Sequence, residues 1–223
     1  MPTELLPDLP DVRPFHRVAV MNSARLVDSV RPADLDAPTP CAGWKLIDLL
    51  AHMTIQHRGF AAAARGFGSD PEVWRADAVV DAVIADPGGT YAEAVNDVLT
   101  AFADGAVLEA GFALPELGPD AIFPGIVAIG FHFVDYVVHG WDVAESLGVP
   151  YALRAEVVDA ALPLAHLVPD GEAREVPDAP FTHAIDAPVS TNLDRILRYL
   201  GRGPDWAQRP RGDGLERTAQ SRG

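Results

Sequence analysis

The sequence predicts an all-α protein, a helical bundle, and three observations carry that prediction. Apolar side chains recur at helical spacing in four substantial stretches, no stretch alternates as a strand does, and the breaks between them are dense in Pro and Gly. The chain has 223 residues, 48% hydrophobic and 22% charged, enough to bury one core in one domain. No repeat period is visible, so long connections must join the helices of a single bundle.

The elements follow in order. Residues 1–14 hold Pro2, Pro7, Pro10 and Pro14 and read as an extended lead-in. Over 15–30, Phe15, Val18, Ala19, Leu26 and Val30 make a first amphipathic helix, with Asn22 the polar exception in the stripe. ADLDAPTPCAGW is a proline-broken loop ended by Gly43. From Trp44 to about 65 a second helix shows Leu46, Leu49, Leu50, Met53 and Phe60 on one side. A short helix over 79–85 precedes ADPGG, which reads as a stop signal. Thr90 is expected to cap a third helix reaching 103, with Glu93 placed for a capping box. Residues 105–120, rich in Gly, Pro and acidic side chains, read as a surface loop. A fourth helix over 124–147 stops at Gly148, and a fifth over 152–167 carries an interruption at Pro163. After a Pro/Asp-rich connection over 169–189, Ser190 or Thr191 opens a last short helix to 200. The expected organisation is therefore a lead-in over 1–14, a bundle over 15–206 and a disordered tail over 207–223.

Charge and composition narrow the function. Seventeen basic residues stand against 32 acidic ones, a net charge of −15, which disfavours nucleic acid and anionic membrane as partners. The tail arginines are too few and too spread to offset it. Lys45 is the one lysine, and this Arg-over-Lys bias with abundant Ala, Asp, Pro and Gly points to a GC-rich bacterial genome. A single cysteine, Cys41, excludes an internal disulfide framework and suits a reducing cytoplasm. No apolar run reaches the ~20 residues of a membrane span, and no signal peptide precedes the first helix. The expectation is a cytoplasmic protein.

The chemistry concentrates in FHFVDYVVHGWDVAESLG, residues 131–148. Asp135 and His139 are four residues apart, which on a helix stacks them on one face about 6 Å apart along the axis. An acidic residue inside an apolar helix is costly unless paired or ligated. Two donors held this way are half of a divalent-metal site, and His52 in DLLAHM is the candidate for the other half. The alternative is a His–Asp hydrogen bond across the core, which needs no ion. His57 lies about 140° round the helix from His52 and does not share its face. His132 shares the Asp135 face but is about 10.5 Å of rise from His139, so it reads as a pocket-lining residue or an alternative ligand. His16, His166 and His183 read as ordinary packed or surface residues.

TPCAGWKLIDLLAHM at 39–53 and FVDYVVHGWDVAESLG at 133–148 resemble the signature blocks of the DinB-like metal-binding superfamily. The resemblance is to its actinobacterial branch of mycothiol-dependent maleylpyruvate isomerase-like proteins. NLDRILRYLGRGPDW, 192–206, is similar to the closing segment of a single-domain subgroup of that branch. The resemblance implies a four-helix bundle with additional short C-terminal helices and a divalent metal at one end. Its ligands fall on His52, Asp135 and His139, which would act catalytically through the metal. Zinc suits a three-ligand nitrogen/oxygen set with open positions, and nickel or iron would also bind it.

A metal of this kind lowers the pKa of a coordinated water or thiol, and mycothiol is the thiol the resemblance implies. The expected activity is thiol addition to, transfer to, or cis–trans isomerisation of a small electrophile. The alternatives are a non-catalytic metal- or small-molecule-binding bundle, and a metal-free bundle enzyme of a biosynthetic pathway. Trp44 and Trp141 flank the proposed ligands and are expected to line the pocket together with His132, or simply to pack the core. Asp142 could orient a ligand histidine, or sit in solvent. Cys41 reads as a buried structural thiol. The isomerase draws a catalytic arginine from a further domain; no motif places Arg195, Arg198 or Arg202 in that role, and they read as surface charges of the last helix, a departure that argues against maleylpyruvate itself as substrate. A homodimer is compatible with the resemblance.

Overall fold

Pro14 in the first turn and a stripe of His16, Ala19, Val20, Ser23 and Val27 make α1 (Arg13–Asp28) amphipathic, with that stripe buried. The computed structural model, which describes residues 9–175 and 181–206, builds the bundle from this helix and three others. These are α2 (Leu46–Ala64), α4 (Pro87–Ala101) and α5 (Gly125–Leu147), with the short α3 (Val80–Ala85) leading into α4. α1 packs on α5 and α4, and α2 packs on α4 and α5, which closes a four-membered ring. Then α6 (Ala155–Ala165) lies against α5 and α1, and α7 (Asn192–Tyr199) lies against α6. The all-α bundle with additional C-terminal helices is thus present. The expected lead-in and tail fall mostly on residues 1–8 and 207–223, outside the described residues.

α5 is buried nearly all round, from Val127 to Ala144, as a helix with neighbours on every side must be. It ends at Gly148, whose φ of 66° is the left-handed conformation glycine adopts without a Cβ penalty. The Val149 N–H then returns to the Ala144 carbonyl at 3.0 Å.

Three local expectations are corrected. ADPGG starts a helix rather than stopping one: the Asp86 carboxylate accepts from the Gly89 N–H at 2.9 Å and Pro87 takes the first turn. Thr90 is therefore inside α4, where its hydroxyl donates to the Ala82 carbonyl at 3.0 Å. Residues 105–120 are not simply loop. They carry 3-10 turns at Gly105–Leu108 and Pro115–Leu117, and the strand β1 (Gly111–Ala113), antiparallel to β2 (Ile122–Pro124) with Phe112 opposite Phe123. Three-residue strands are too short to show alternation. Pro163 does not break α6, which closes two residues beyond it.

Candidate metal centre

His52 is reached through α2, whose N-terminus is fixed by Asp48 accepting from the Lys45 N–H at 2.9 Å. Leu46, Leu49, Leu50 and Met53 are fully buried, and this leaves His52 on the flank that faces α5. Across from it, Asp135 and His139 stand one turn apart, with His139 Nε2 3.3 Å from Asp135 Oδ1. The His52 and His139 rings meet edge to face at 5.3 Å. One donor atom from each of His52, Asp135 and His139 lies within 4.8 Å of the other two. His139 is buried, whereas Asp135 and His52 are only partly covered, so the cluster is open on one side. Trp44 flanks that side, its ring 5.0 Å from His52 and 37% of its surface exposed.

Behind His139 is a second layer. Asp142 Oδ2 sits 2.9 Å from His139 Nδ1, which directs the ring's other nitrogen toward Asp135 and His52. Asp142 is fully buried, not solvated, and its charge is met by Arg202: Nε donates to Oδ1 at 3.0 Å and Nη2 to Oδ2 at 3.2 Å. Arg202 Nη2 also lies 3.2 Å from Cys41 Sγ, which lies 3.2 Å from Asp142 Oδ2. The expectation that Arg202 is a surface charge is therefore wrong. It is 5% exposed and lies beyond α7. Gly201, with φ 76° and the Thr182 hydroxyl 2.0 Å from where a Cβ would stand, turns the chain inward to deliver it. Sequence held one signal for this contact: Asp142 on an apolar helix required a cation somewhere.

The charges follow from these contacts. Burial would push His139 down, but the Asp135 charge and hydrogen bonds to Asp135 and Asp142 hold it well above the usual imidazole range. His52 is lowered to about 4 by burial and by the charge of His139, against the pull of Asp135. Asp135 and Asp142 both titrate low despite burial, Asp135 because of His139 and Asp142 because of Arg202.

Two donor sets can be drawn here, and only one fits an ion. Cys41, His139 and Asp142 also cluster, but the Arg202 guanidinium already contacts the sulfur and the carboxylate, and a cation there would be repelled. The His52, Asp135 and His139 set carries a carboxylate without a guanidinium and two imidazoles, the donor chemistry of a divalent ion with open positions.

The other sequence-predicted residues divide. Trp44 lies at the mouth. Trp141 is buried and lines a separate cleft with Val189, Thr191, Leu193 and Arg198, about 200° round α5 from His139. His132 does not line the pocket. It is 1% exposed, with Nδ1 2.8 Å from His16 Nε2 and Nε2 3.2 Å from His57 Nδ1. His16, His132 and His57 thus form one buried line of rings, which no spacing along the chain reveals, while His57 Nε2 has no partner among the described residues.

Fold and site together define a helical bundle with an open His/Asp/His cluster at one end. Residues 16–144 match the mycothiol maleylpyruvate isomerase N-terminal domain, and the chain belongs to that family. Two proteins of Mycobacterium tuberculosis, the uncharacterized proteins MT0763 (strain CDC 1551 / Oshkosh) and Rv0738 (strain ATCC 25618 / H37Rv), are each 30% identical over 196 residues. Those alignments cover 84% of this chain and 95% of each relative. Among solved structures, the mycothiol-dependent maleylpyruvate isomerase superposes with a TM-score of 0.54 at 14% identity, covering 75% of this chain and 70% of that one. A variant of the same enzyme gives 0.55 at 12% identity with the same coverage. At these identities the superposition establishes the fold. No helix among the described residues is long and apolar enough to cross a membrane.

Proposed function

We propose that this chain is a metal-dependent enzyme that joins a low-molecular-weight thiol, mycothiol, to a small electrophile. The observation that carries the reading is the convergence of His52, Asp135 and His139 with one side left open. Family membership supports it, because the superposed isomerase is mycothiol-dependent by name. The residues proposed to hold the ion, zinc by preference, are those three. Bound there, a divalent cation would supply Lewis acidity and favour the thiolate, the nucleophilic form of the thiol.

The chain's own groups do the positioning. Asp142 keeps the Nδ1 proton of His139 engaged, so that Nε2, once it gives up its proton, is the nitrogen that would face the ion. Arg202 cancels the charge of Asp142, leaving the Asp135 carboxylate to attract a cation. The half-exposed Trp44 ring offers an apolar wall on the open side. Addition that retains sulfur on the product is transferase chemistry; addition, rotation and elimination isomerise a double bond.

The test is elemental analysis of the purified chain, followed by thiol consumption with maleyl compounds and epoxides. The parent should carry about one equivalent of metal, with little in His52→Ala and His139→Ala. A parent that takes up no metal, or variants that bind it equally, overturns the proposal. Metal without thiol turnover or thiol affinity would establish a binding bundle instead.

A further inference from the structure

One titratable group that feels the Asp135 charge has no part in the chemistry proposed for the cluster. Glu116 lies on the 3-10 turn Pro115–Leu117 between the two strands and is exposed to solvent. Its Oε2 accepts from Gln56 Nε2 at 2.8 Å. Gln56 is itself buried, at 4% exposure, and stands four residues beyond His52 on α2. Four residues are one turn, so Gln56 and His52 share a face. The hydrogen bond therefore holds a carboxylate of the strand connection against the His52 face of α2, within range of the Asp135 charge. Glu116 does not join the ligand cluster.

We propose that Glu116 is the proton-transfer group of this site, accepting the proton of the incoming thiol and returning it to the product. The role rests on the thiol chemistry proposed above. The S–H bond breaks, an O–H bond forms on Glu116, and the electron pair stays on sulfur. Sulfur then bonds to the electron-poor carbon of the electrophile, and the pair displaced from the double bond moves to the adjacent carbon. Where sulfur is retained, Glu116 gives its proton to that carbon. Where the adduct eliminates after rotation, the pair on the adjacent carbon re-forms the double bond, the C–S bond breaks with its pair going to sulfur, and Glu116 re-protonates the departing thiolate.

The surroundings suit an acid and base in alternation. Partial desolvation of its carboxyl against buried Gln56 raises Glu116 above the usual range although the residue as a whole is exposed; the Gln56 hydrogen bond opposes that, and the charge of Asp135 on α5 adds to it. An arriving sulfur anion is a further like charge and stabilises the protonated form, while solvent exposure lets the proton exchange with water.

Glu116→Gln in the metal-loaded full chain tests this. Metal content should match the parent, and thiol consumption should fall about 10²-fold with loss of the acidic limb of its pH profile. Infrared difference spectra on adding mycothiol at pH 6 should show a protonated-carboxyl band in the parent that is missing in the variant. Glu116→Asp, which keeps the charge, should restore part of the rate and guards against a folding defect. A parent that binds no thiol overturns the enzymatic reading and this role together. A variant that binds thiol with the parental rate and spectrum overturns this role alone.

Discussion

The same two helices carry two groups of histidines with opposite behaviour. His52 on α2 and His139 on α5 face carboxylates at the open end, whereas His57 on α2 and His132 on α5 join His16 among aromatic rings. Tyr136 stacks on both His57 and His132, at 4.0 and 4.3 Å, and Phe60 and Phe102 contact His132 edge-on. Both groups are buried or nearly so. His139 is nevertheless raised well above its ordinary value, while His57 and His132 are pushed well below theirs and His16 to about 3, all three by burial first. The difference lies in the partners. Two aspartates overcome desolvation at His139, and neutral rings leave it unopposed in the core.

The largest expected effect comes from acid acting on the core group. Its histidines have folded pKa values below the unfolded ~6.5, so the unfolded chain binds more protons below that pH. Their contribution to stability is whole above about pH 6.5 and is lost as pH falls, by up to about 1.4 kcal/mol per pH unit for each histidine that stays neutral. His139 acts in the opposite sense in metal-free protein, its contribution present below about 6.5 and lost as pH rises through its raised value. Urea unfolding of metal-free protein at a series of pH values should therefore show stability dropping between about 6.5 and 4. A flat profile there would mean that the three rings are not buried neutral.

A smaller loss should follow Arg202→Leu, which strands the Asp142 charge in the interior. About 3–5 kcal/mol of unfolding free energy should disappear, and adding Asp142→Asn to the same chain should return part of it. If denaturation midpoints of the single variant match the parent, Asp142 must find its compensation elsewhere.

Smallest, and most specific to the proposed ligands, is the response to zinc. At about a hundred times the dissociation constant it should stabilise metal-free parent by about 2.7 kcal/mol. His52→Ala should abolish that rise in thermal midpoint and His132→Leu should keep it. A rise lost in His132→Leu but kept in His52→Ala would reverse the assignment of the two groups.

Much of this is legible in the sequence. The stripe of α2, the i, i+4 pair on α5 and the glycine stop at Gly148 are local patterns, and each fixes its element directly. The start of α4 misled because Asp86 and Pro87 carry turn chemistry and capping chemistry in the same letters. The strands β1 and β2 left no trace because three residues cannot establish a period. His132 was misplaced because its helix face is that of Asp135, and only the neighbours of that face separate a ligand from a core residue.

The sequence by itself determined the main helices and the stacking of Asp135 with His139, since spacing along a helix fixes which residues share a face. Only the tertiary structure decided which of seven histidines meet carboxylates and which meet each other. It alone showed that Arg202, 60 residues beyond Asp142, pairs with it behind His139, and that Glu116 pairs with Gln56. These pairings depend on long-range packing and buried charge compensation, and neither has a period that a chain can display.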